Sequence, residues 1–121
     1  MERVREIVRL REVTAVPHMP PWVLGVVGLR GEVVQVVDLR MRLGIERSPT
    51  TRSTRVIVLH GDDDRVTGIL VDAVDQVLRI SEELIRPAAG AETGAVVELC
   101  ERDGEFVSVV DVDRALELRE D

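Results

Sequence analysis

Valine recurs along this chain in short runs that alternate with polar residues and stop at Gly, Pro, Asp or Ser. β-branched side chains suit a pleated, half-buried surface and lose rotamer freedom in a helix, so the pattern predicts a mainly β fold of short strands. The strands are expected at 4–10, 25–29, 32–37, 54–60, 65–71, 73–80, 95–101 and 105–110. "HGDDDRVTG", residues 60–68, reads as a hairpin loop. Short helices are expected after Asp38 in "DLRMRLG" and after Asp111 in "DVDRALEL". Each opens with an aspartate that can accept first-turn amides, and Leu39/Leu43 and Val112/Ala115/Leu116 give each one apolar face. Along Ile69–Ile80 the apolar positions are assigned mostly to core, and Trp22, after two prolines, to packing rather than to an interface.

The same pattern occurs twice. "GEVVQVVDLRMRL" from Gly31 aligns without a gap on "GEFVSVVDVDRAL" from Gly104, and both read as strand, Asp cap, short helix. Upstream, "VREIV" through Pro17 resembles "VDAVDQVLRISEELIRP" through Pro87 more loosely. The second copy follows the hairpin 54–71, whereas Met1 stands three residues ahead of Val4 in the first. The first unit is therefore expected to be short of strands. It would then present an open strand edge that allows pairing with another chain, including self-association.

Composition narrows the function. At 121 residues, one domain is expected over 1–121, with one subdomain at about 1–50 and a second at about 51–121. Hydrophobic residues make up 45% and charged residues 32%, without an apolar run long enough to span a bilayer or a signal-like N-terminus, so the expected location is the cytoplasm, without membrane insertion. The net charge of −7 and the near absence of aromatics oppose nucleic-acid binding.

Candidate chemistry is sparse. Cys100 is the sole cysteine and reads as a small apolar strand residue. His18 and His60 lack partners at metal-ligand spacing, and the aspartates of 62–64 read as a solvated loop, so no metal site is expected. The glycines of "GVVGLRG" do not follow a phosphate-loop spacing, and the chain has no lysine. Neither an enzyme nor a cofactor is expected.

Several segments together resemble the CheW-like chemotaxis adaptor (purine-binding chemotaxis protein) family: "VREI" at Val4–Ile7, "PPWVLGVVGLRG" from Pro20, "VVDLR" from Val36, "GILVDAV" from Gly68 and "VVDVDRAL" from Val109. The order and spacing hold from Val4 to Leu118. The resemblance implies two SH3-like β-barrels with short helices, the first lacking strands that family members carry one hairpin earlier. It also implies a non-catalytic adaptor that couples methyl-accepting chemoreceptor tips to a CheA-type histidine kinase. Arg30 and Glu6 match the receptor-binding positions, with Val4 and Gly25 on the same surface. Taken alone, Arg30 reads as a solvent-facing turn residue and Glu6 as the wet side of a strand. Two other readings are a detached regulatory domain of a chemotaxis kinase and a small-molecule-binding β-barrel.

Overall fold

The alternating valine runs become strands. The computed structural model describes residues 4–46, 49–61, 65–78, 85–87 and 97–112. Its elements are β1 (Val4–Arg9), β2 (Val23–Leu29), β3 (Glu32–Val37), α1 (Leu39–Leu43), β4 (Arg55–His60), β5 (Val66–Val71), β6 (Ile85–Pro87), β7 (Val97–Arg102) and β8 (Glu105–Val110). The protein is mainly β. The strand expected at 73–80 is not found in its described part: among the described residues, 73–78 enter no sheet, and Val77 and Leu78 are exposed. The core assignment holds for Ile69 and Leu70 but not for these two residues. Beyond Val112, the expected second helix lies outside the described residues.

Two compact units divide between Gln76 and Val77. The first contains a five-stranded sheet in the order β1-β4-β5-β3-β2, and the second a three-stranded sheet in the order β6-β7-β8. The β4–β5 hairpin, placed by the sequence with the second half, thus lies in the first sheet, which it supplies with strands instead of leaving it short. The reason is that a repeat shows which segments are alike, not which pair. β4 runs antiparallel to β1, while β5 runs parallel to β3, with Gln35 opposite Thr67, Val36 opposite Gly68 and Val37 opposite Ile69.

The inner face of the first sheet follows the period of two. Val34 and Val36 of β3, Val56 and Val58 of β4, and Val27 of β2 pack into one buried cluster. Val34, Val36 and Val58 are fully inaccessible, and each such side chain contributes about 1.5–3 kcal/mol by leaving water. Gly68 sits in their midst because a Cβ there would lie 2.7 Å from Val56 Cγ1.

The two edges of this sheet meet. After β1 the chain passes Thr14, which exchanges two backbone hydrogen bonds of 2.9 Å with Val26 of edge strand β2. Gly25 makes this approach possible: with φ at 146°, it carries no Cβ that would fall 2.1 Å from the Thr14 carbonyl oxygen. In the second unit Arg86 of β6 pairs with Leu99, the residue corresponding to Val26. Helix α1 is capped as expected, Asp38 accepting the Arg40 amide at 3.0 Å, and ends at Gly44 in a left-handed conformation.

Candidate functional site

A two-residue turn joins β2 to β3, and Arg30 occupies its first position. Both central residues have positive φ, 53° at Arg30 and 81° at Gly31, which is the geometry that matches the twist of a tight hairpin. Glycine adopts it freely, whereas a side chain with a long aliphatic stem pays about 1 kcal/mol in the left-handed region. In the second unit Asp103 and Gly104 make the matching turn, with φ of 52° and 81°. Asp is among the residues that tolerate this conformation. The first copy thus carries an arginine where the local backbone favours a small polar residue.

Glu6 meets this arginine from the opposite edge of the sheet. Arg30 Nε donates to Glu6 Oε2 at 3.0 Å and to Oε1 at 3.3 Å. The carboxylate side chain is 19% exposed and the guanidinium side chain 69%, so one partner is anchored and the other presented. Next to it, Arg5 Nη1 donates to Glu32 Oε2 at 2.6 Å. Consecutive residues of a regular strand point to opposite faces. Here the register of β1 against β4 slips between Val4 and Glu6, a bulge that lets Arg5 and Glu6 both reach the β2–β3 turn. The two ion pairs have opposite polarity and span the same seam between the edges.

The structure therefore brings together Arg30 and Glu6, and places exposed Val4 two residues from Glu6 on β1. It sets Gly25 apart: that residue is buried beneath Thr14 and holds the seam by its backbone. An open groove lined by Val26, Val33, Gln35 and Val66 includes Glu32, the first residue after the turn.

A second ionic cluster was not evident from the sequence. The Asp38 side chain is fully buried, and Arg40 grips it with Nε on Oδ1 and Nη2 on Oδ2, each at 3.0 Å. Arg40 Nη1 also bonds Asp72, at the end of β5. The Asp38 hydrogen bond leads in holding the Arg40 guanidinium above the ordinary arginine range, against the opposing effect of burial. A raised cation contributes stability below its ordinary value and loses it only as pH rises through the raised one, so Arg40 does not titrate near neutrality. The capping role of Asp38 was legible; its fork with Arg40 required the turn of α1. Arg42, further along α1, lies over the Trp22 ring, 5.0 Å from its centre, so the indole packs under a cation.

Comparisons with known proteins converge on one family. A family model described as CheW-like domain matches residues 1–120. The chain is 44% identical over 85 residues to a probable chemotaxis protein CheW of Rhizobium etli, covering 69% of this chain and 54% of that protein. With the chemotaxis protein CheW of Rhizobium meliloti it shares 37% identity over 115 residues, 91% of this chain and 73% of the other. Among solved structures, the scaffolding protein TtCheW of Thermoanaerobacter tengcongensis superposes with a TM-score of 0.78 at 28% identity, covering 89% of this chain and 75% of that one. The chain thus spans from about half to three quarters of the length of these relatives.

Proposed function

The chain belongs to the CheW-like domain family, and from that premise we propose that it is a non-enzymatic adaptor coupling methyl-accepting chemoreceptors to a CheA-type histidine kinase in the cytoplasm. The receptor side is the seam around Arg30 and Glu6, with Val4 at its margin and Gly25 supporting it from beneath.

The observation that carries this reading is the arginine held at positive φ with its Nε on a half-sheltered carboxylate. A residue kept in a costly conformation by its surroundings is a mark of selection for what its side chain does. An arginine presented beside exposed valine can orient an acidic group while its aliphatic stem and the valine bury apolar contact. The clefts lined by Val33 and Val66 and by Leu10 and Arg40 are open grooves, which suits an extended protein surface better than an enclosed small molecule.

Co-purification with the kinase and with receptor-tip fragments tests the proposal. The wild-type chain is expected to retain both partners, and Arg30→Ala and Glu6→Ala to lose the receptor tip while keeping the kinase. Failure of the wild-type chain to retain either partner would sink the adaptor reading. Unchanged receptor retention by both variants would sink the site.

A further inference from the structure

Positive charge gathers at the end of β1 away from Val4, in a chain whose 23 carboxylates outnumber its 16 arginines. β1 and β4 are antiparallel, and their register sets Arg9 directly opposite Arg55. Residues so placed share one face of the sheet with their Cβ atoms about 5 Å apart, and like charges there repel. The turn leading into β4 adds Arg52, and all three arginines line one cleft of about 450 Å³ together with Thr50, Thr51 and Thr54. Among the described residues, no carboxylate forms an ion pair with any of the three. Asp72, which follows the Val71 that faces Arg55 from β5, is taken by Arg40.

The donors of this cleft are held in place. Arg55 Nη1 donates to the carbonyl oxygens of Arg52 at 2.6 Å and of Thr54 at 2.8 Å, so the turn fixes the plane of the guanidinium. The N–H groups of Nε and Nη2 lie in that same plane and take no part in these two bonds. Hydroxyls close the turn: Thr54 Oγ1 accepts the Thr51 amide at 2.9 Å, and Thr51 Oγ1 accepts the Ser53 amide at 3.1 Å. A hydroxyl oxygen that accepts in this way keeps its O–H to donate. Thr54 is buried, so its hydroxyl is fixed by packing as well as by the turn.

We propose that this cleft binds a phosphoryl group, as free phosphate or as a simple phosphate monoester. A dianion between Arg9 and Arg55 replaces their repulsion with attraction, and its oxygens match the planar fork of a guanidinium. Arg52 and the threonine hydroxyls supply donors for the remaining oxygens, more than the two oxygens of a carboxylate could use. None of the lining residues is aromatic, so a base would find no surface to stack on and the phosphoryl group is the part recognised. The cleft shares no residue with the seam around Arg30 and Glu6, and the inference does not rest on the adaptor reading.

The probe is inorganic phosphate, titrated into the full chain at constant ionic strength with chloride making up the difference, so that general screening does not change. Backbone amide and arginine side-chain NMR signals are the readout. The expected result is a saturable shift confined to Arg9 and Thr51–Arg55, with binding about tenfold weaker in Arg9→Gln and in Arg55→Gln. Arg9 is exposed, so its replacement leaves the fold intact even if loss of the Arg55 anchor disturbs the turn. Phosphate should also raise the Tm of the wild-type chain, as any ligand of the native state does, and leave that of Arg9→Gln unchanged. Glycerol phosphate run in parallel separates the two sources: tighter binding identifies a monoester as the ligand, equal binding the free ion. Shifts that do not saturate, shifts reproduced by chloride alone, or unchanged affinity in both variants would overturn the proposal.

Discussion

Arg30 and Asp103 occupy the same position in two equivalent turns, with φ of 53° and 52°. One backbone requirement is thus met by an ill-suited side chain in the first unit and by a well-suited one in the second. The conformational cost at Arg30 is about 1 kcal/mol, and an exposed ion pair returns about 0–1 kcal/mol.

Stability and recognition therefore separate at this turn. Arg30→Asn removes the ion pair to Glu6 but relaxes the backbone, so the net change in unfolding free energy is expected to stay within about 1 kcal/mol of zero. Retention on receptor tips is expected to be lost. Chemical denaturation beside a pull-down checks this; a large destabilisation would mean that Arg30 holds the sheet together rather than serving a partner.

Gly25 gives the opposite outcome. Gly25→Ala sets a Cβ 2.1 Å from the Thr14 carbonyl oxygen, at a φ of 146° that side chains rarely adopt. The seam between the sheet edges must open, and a loss of about 3 kcal/mol or more is expected. Thermal unfolding reads the effect, and the Thr14 and Val26 amides, paired at 2.9 Å, should exchange faster with solvent.

Asp38 supports two elements at once. Asp38→Ala removes a helix cap worth about 1 kcal/mol and leaves Arg40 without its buried partner, for a total loss of about 3–5 kcal/mol. Asp38→Asn keeps the cap acceptor but not the charge and should lie between the two. Urea midpoints order the three proteins; equal stability of Asp38→Ala and wild type would deny the fork any structural weight.

Much of the architecture was legible because valine alternation is a local signal. The runs around Val34, Val56 and Val107 each gave a strand where expected, and Asp38 gave its cap. The site was half legible: Arg30 and Glu6 stood out through the resemblance, but their contact depends on a bulge at Arg5 that periodicity cannot reveal. Gly25 was placed with the surface through the resemblance alone, and its own environment is buried under Thr14. The partner of the β4–β5 hairpin was misplaced because parallel pairing of β3 with β5 is a long-range choice, set by which valine face remains uncovered. Val77 and Leu78 look like strand residues in isolation, yet their stretch does not enter a sheet.

The pairing of Val4 with Leu59 carries a consequence for how the chain assembles. The β2–β3 and β4–β5 hairpins close over short loops, whereas β1 has no neighbour until β4 has been synthesised, and the entropy of closing that long loop must be met by contacts already in place. β1 is therefore expected to pair after these two hairpins have closed. Glu6 arrives with it, so the Arg30–Glu6 pair is expected to form late in the assembly of this sheet, and the recognition surface we propose would then be present only on molecules that have finished folding.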